Sequence, residues 1–74
     1  MQGFPSRERV NEIKEKYPKG TKIKLISMND SQAPKSGSVG TVTHVDDTGQ
    51  IHMAWETGSS LALIPDVDSF EIVK

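Results

Sequence analysis

A chain of 74 residues without a cysteine makes one domain, near the small end of what buries a core unaided, with no disulfide framework and no thiolate metal site. Its longest apolar run, Leu61-Ala62-Leu63-Ile64-Pro65, is far too short to cross a bilayer, and Met1-Gln2-Gly3-Phe4-Pro5 lacks the apolar stretch of a signal peptide. A soluble cytoplasmic protein with no membrane partner is therefore expected, and its net charge of -1 conceals a basic N-terminal third and an acidic remainder: seven basic residues against three acidic through Lys24, then two against seven.

Ser6 is placed to cap a helix, and Val10, Ile13 and Tyr17 follow at spacings of three and four on one face until Pro18 ends it. A helix of about three turns is marginal in isolation, so its apolar stripe predicts docking on the rest of the domain. Pro5 is positioned to staple against Val10, and Glu12 and Lys16 form a favourable i,i+4 pair, whereas Glu8 opposes Glu12. Residues 1–18 read as an N-terminal helical arm and 19–74 as the body of a single domain.

Pro18-Lys19-Gly20 is a turn, and Thr21-Lys22-Ile23-Lys24-Leu25 alternates as a half-buried strand with Ile23 and Leu25 inward. Ile26 and Met28 break that phase, which predicts a bend or bulge near Ser27. Asn29 to Ser38 is a run of turn formers longer than a hairpin loop needs. The next strand carries Val39, Val42 and Val45, and its partner carries Ile51, Met53 and Trp55. Val42 and Val45 are three apart while Ile51 and Met53 are two apart, so both pairs face one core only if Thr43 and His44 form a β-bulge. Asp46-Asp47-Thr48-Gly49 is a tight turn that uses positive φ at Gly49, and Glu56-Thr57-Gly58-Ser59 is a second.

Leu61 and Leu63 predict a fourth strand. Ile64-Pro65-Asp66-Val67-Asp68 suits a single 3₁₀ turn, and Phe70-Glu71-Ile72-Val73 alternates as a closing strand. These elements describe a mainly β protein: a small five-stranded SH3-like barrel with a short N-terminal α-helix and a 3₁₀ turn before the last strand.

The blocks Tyr17-Pro18, Gly20-Thr21, Ser27-Met28-Asn29-Asp30, Ala33-Pro34, Gly40-Thr41-Val42, Val45-Asp46-Asp47, Gly49, Trp55, Gly58-Ser59-Ser60-Leu61 and Asp68-Ser69-Phe70 occur in an order that resembles a small family catalogued as a domain of unknown function. The resemblance covers nearly everything after Lys16 and departs from the family pattern at Lys35-Ser36. It implies an SH3-like barrel from Gram-positive bacteria, their phages or their mobile elements, and it lends no catalytic or binding residue.

No phosphate loop, nucleophile elbow or other catalytic motif is present, so a non-enzymatic binding module with no cofactor is the expectation. SH3-like barrels commonly bind protein partners between the long first loop and the second hairpin. By that analogy Met28, Asn29 and Asp30 face Asp46 and Asp47 across an acidic groove suited to a Lys- or Arg-bearing segment, with Trp55 as a further contact. The phase of Trp55 with Ile51 and Met53 favours core packing for that ring over the floor of a ligand site. The alternative is nucleic-acid binding through the basic arm, by Arg7, Arg9 and Lys14 with Lys22 and Lys24 on the first strand. Against it stand few aromatic platforms and an acidic remainder, and the arm can instead lie against that acidic body. His44 and His52 on adjacent strands read as solvent-facing residues rather than metal ligands, and the paired aspartates as turn residues rather than a calcium loop. Exposed edge strands or the amphipathic helix offer routes to pairing two chains, and the sequence does not choose an oligomeric state.

Overall fold

The computed structural model of the chain describes residues 6–73. Helix α1 (Arg7–Lys16) precedes four strands, β1 (Lys22–Ser27), β2 (Val39–Val45), β3 (Ile51–Trp55) and β4 (Ser69–Ile72). All neighbours are antiparallel, in the order β3-β2-β1-β4.

The helix begins where expected because the Ser6 side chain accepts the Arg9 backbone N–H at 3.1 Å, one of the donors with no partner inside the first turn. It ends at Tyr17, whose N–H still reaches the Ile13 carbonyl at 2.9 Å before Pro18 prevents a further turn. Val10 and Ile13 are buried, and Ile13 belongs to the same core cluster as the strand residues. Glu12 pairs with Arg9 at 3.5 Å, one turn towards the N-terminus, instead of with Lys16. The proposed Pro5 staple lies outside the described residues.

Both predicted bulges are present. The β1–β4 register shifts between Leu25 and Ser27, so Ile26 is the extra residue there. The β2–β3 register shifts between Val42 and His44, leaving Thr43 as the extra residue. The second shift reconciles the mismatched valine spacing: Val42 opposes Met53 and Val45 opposes Ile51, all towards the core. Ile23, Leu25, Val42, Ile51, Met53, Trp55 and Leu63 complete that core, with Tyr17, Met28, Val45 and Phe70 packed around it.

The expected five-stranded barrel is corrected to a four-stranded open sheet without barrel closure. The segment predicted as a fourth strand contributes one bridge, in which Leu63 and Ile51 exchange both backbone hydrogen bonds at 2.8 and 2.9 Å. One interaction keeps it from extending: the Leu61 carbonyl, which a continued ladder would offer to the Met53 N–H, accepts the Trp55 indole Nε1–H at 2.9 Å, while the Ser59 carbonyl accepts the Trp55 backbone N–H at 3.1 Å in register with the bridge. The predicted 3₁₀ turn is instead a closed turn that carries an i→i+4 bond beside the i→i+3 bond. Ile64 O accepts from both Val67 and Asp68, Asp68 Oδ2 accepts the Ile64 N–H at 2.8 Å, and Asp66 takes φ +72°, which no 3₁₀ helix uses. Among the described residues, no helix is long and apolar enough to cross a membrane.

Candidate functional site

The residues named from the acidic-groove analogy divide by what they already do in the fold. Asp46 organises the β2–β3 turn. Its Oδ1 accepts from the Thr48 N–H (2.9 Å), the Thr48 hydroxyl (2.6 Å) and the Gln50 N–H (3.0 Å), while Oδ2 accepts from His52 Nε2 at 2.8 Å. These donors hold the carboxyl well below the usual carboxylate range, the Thr48 hydroxyl most of all, with His52 and the backbone amides adding to it against an opposing desolvation. An ionised carboxylate only accepts, so the proton of neutral His52 sits on Nε2. The two strand histidines stack, ring centroids 4.3 Å apart and 6° from parallel, because the bulge places His44 directly across from His52.

Asp47 is almost fully exposed and pairs with Lys14 of α1 at 3.2 Å. Asp30 Oδ1 closes its own loop by accepting the Gln32 N–H at 2.8 Å, Asn29 is exposed, and Met28 is half-buried against the core. Trp55 is 4% exposed, stacked over Gly40 with its indole N–H satisfied, so it offers no contact surface. That correction follows from its phase: residue 55 shares the inward face with Ile51 and Met53.

The basic set is partly engaged with the acidic body. Arg9 Nη2 lies 3.2 Å from Asp66 Oδ2 and Lys14 reaches Asp47, so one ion pair ties each end of the helix to a different loop. Arg7 is exposed at the start of the helix. Lys22 and Lys24 are exposed on the outer face of β1, and Lys24 stands directly opposite Glu71 on β4.

A groove of about 600 Å³ lies elsewhere, between α1 and the approach to β4. The helix supplies one wall through Arg9, Glu12, Ile13, Lys16 and Tyr17. The Ile64–Asp68 turn and the start of β4 supply the other through Pro65, Asp66, Asp68, Ser69 and Phe70. Ile26, turned out by the β1 bulge and 46% exposed, contributes apolar surface between them. Tyr17 and Phe70 meet edge to face with centroids 5.6 Å apart, and Lys16 Nζ sits 5.6 Å from the Tyr17 ring centre. An apolar strip thus carries a rim of both charges. Sequence reasoning noticed Ile26 only as a break in phase; an apolar residue that a bulge ejects from the core was the available signal for this groove.

The family model described as a domain of unknown function, DUF4314, matches residues 6–73. The chain belongs to that family. The match begins at the Ser6 cap and ends one residue beyond β4, so helix, sheet and groove all fall within the family's domain. Comparison with curated proteins and with solved structures returns no significant match. Among the described residues, no cluster of three or more His, Cys, Asp or Glu side chains is arranged to hold a metal ion.

Proposed function

We propose that this domain is a non-enzymatic interaction module that holds an extended segment of a partner protein in the groove between α1 and the start of β4. The observation that carries this reading is the groove itself: a mainly polar lining on two separate elements around an apolar strip of exposed Ile26 and half-buried Tyr17 and Phe70. A strip of that kind rewards burial of a few apolar side chains, and a mixed rim orients the segment that brings them. The surface between the first loop and the β2–β3 turn supports such a role less well. Asp30 and Asp46 already spend their carboxylates on their own turns, and Asp47 is paired.

The nucleic-acid reading loses support from the same ion pairs. Arg9 and Lys14 would have to release Asp66 and Asp47 to reach phosphates, and those carboxylates would stay beside the bound polyanion.

Site-specific photocrosslinking tests the proposal. A photoreactive residue replaces Lys16 or Ser69 at the groove, and Asp30 or Asp47 at the other surface, all exposed positions. The proposal expects the same partner peptide to be captured at Lys16 and Ser69. Capture confined to Asp30 and Asp47 would move the site back to the acidic surface.

A further inference from the structure

The two edges of the sheet are not equivalent. The β3 edge is covered where Ile51 exchanges hydrogen bonds with Leu63 and where Trp55 donates to Ser59. Beyond β4, no strand is paired among the described residues. The Val73 N–H donates to Lys22 O at 2.9 Å, and the register sets Ile72 opposite Ile23, Glu71 opposite Lys24 and Phe70 opposite Leu25. Hydrogen-bonded and non-bonded pairs alternate along an antiparallel ladder, so Val73 and Glu71 bond towards β1. The N–H and C=O groups of Ile72 and Phe70 therefore point away from it, along the free edge. Phe70 also lines the groove.

We infer, resting on the groove reading above, that the partner segment adds to β4 as a further strand and alternates apolar with basic residues. Unpaired backbone groups spaced two residues apart are a template for an extended chain and for no other backbone conformation. Directly paired residues share a face of the sheet. Partner side chains opposite Phe70 and Ile72 then turn to the apolar inner side, and the one opposite Glu71 stands on the outer side beside a carboxylate. Glu71 has Lys24 on its β1 side, so a basic partner residue flanks that carboxylate from the other side; Asp68, bonded to the Ile64 N–H, and Asp66, paired with Arg9, lie past the start of the strand. A second copy of this chain fits poorly. Symmetric pairing of Phe70 with Ile72 sets Glu71 against its own duplicate, and like charges directly opposite are destabilising.

The probe is a short acetylated peptide alternating lysine and valine. It is compared with a glutamate–valine version and with two lysine–valine versions, one N-methylated at the valine nitrogens and one at the lysine nitrogens, of which the one methylated on the edge facing β4 cannot complete a ladder. Binding is read by fluorescence anisotropy and by amide shifts of the ¹⁵N-labelled full chain. The expected result is binding of the lysine–valine peptide with shifts at the Phe70 and Ile72 amides, and loss of binding when whichever peptide edge faces β4 is N-methylated. Glu71→Lys, at an exposed position, should weaken the lysine–valine peptide about fivefold and favour the glutamate version. If peptides N-methylated on either edge bind as well as the parent while shifting Tyr17, Ile26 and Phe70, strand addition is wrong and the groove reading survives. If no peptide shifts any groove residue at millimolar concentration, both are wrong.

Discussion

Gly40→Ala probes a close approach of backbone to the core at Trp55. Gly40 lies in β2 opposite Trp55, outside the positive-φ group of Gly20, Gly37, Gly49 and Gly58, so alanine meets no backbone objection there. Its Cβ would stand 2.7 Å from Trp55 Cε3, 2.9 Å from Cδ2 and 3.0 Å from the Met53 methyl carbon. To restore ordinary contact the indole must retreat by roughly 0.7 Å, and it is held by the Leu61 carbonyl on one side and the core on the other. Overpacking of this kind costs about 1–3 kcal/mol, while replacing glycine lowers the entropy of the unfolded chain and returns about 0.4–1 kcal/mol. The steric term wins, for a net loss of about 1–2 kcal/mol, or roughly 4–16 °C in Tm for a domain of this size. Trp55 is the chain's single tryptophan, so urea unfolding followed by its fluorescence reads the effect directly. Circular dichroism supplies the matching curve in a Trp55→Leu background, where the indole is gone and the cost of Gly40→Ala should shrink by more than half. An alanine variant as stable as the parent, or an equal cost in both backgrounds, would refute the reasoning that the indole sets the need for glycine.

The Asp46 contribution should disappear in acid. Its folded pKa is depressed, so the stabilisation is complete above the ordinary carboxylate value of about 3.9 and is lost as pH falls through the lower folded value. Urea midpoints at falling pH should therefore drop more steeply below about pH 4 in the parent than in Asp46→Ala, and parallel curves would deny the turn that role. Leu63→Ala, at a fully buried bridge residue, should cost about 2–5 kcal/mol by the same urea assay, and a loss under about 1 kcal/mol would show that the single bridge does not anchor its segment. Lys14→Gln should cost less than about 1 kcal/mol and nothing further in Asp47→Asn, because both partners of that pair are well exposed; a larger coupling in the double-mutant cycle would contradict this. In gel-shift titrations at about 0.15 M salt the chain should not retain DNA or RNA, and tight, steeply salt-dependent binding would return the basic arm to the first rank.

Elements governed by neighbours in sequence were legible from the residues alone. Ser6 and Pro18 bound the helix, and the alternation of Ile23 with Leu25 and of Ile51 with Met53 sets the inward faces. The uneven spacing of Val42 and Val45 demands the bulge at Thr43. Each depends on periodicity, capping or turn chemistry acting over a few residues. What failed depended on competition between distant groups. Leu61 and Leu63 have the pattern of a strand, yet the Trp55 indole takes the Leu61 carbonyl, so the ladder stops at one bridge and the barrel stays open.

The candidate site followed the same division. The sequence supplied Asp30, Asp46 and Asp47 as exposed carboxylates and Arg9 and Lys14 as free cations, because composition records charge without its partner. The turn role of Asp30 and Asp46 was legible in the sequence, whereas only the tertiary structure joined Lys14 to Asp47 and Arg9 to Asp66 and set Ile26 beside Tyr17 and Phe70. The sequence by itself determined the helix, the four strands that form and which side of each faces inward, since those are local stereochemical choices, but not that the Leu61–Leu63 segment stops at one bridge. Which carbonyl an indole captures, which carboxylate a cation reaches and which sheet edge stays bare are decided when the whole chain packs, because those partners lie far apart along it.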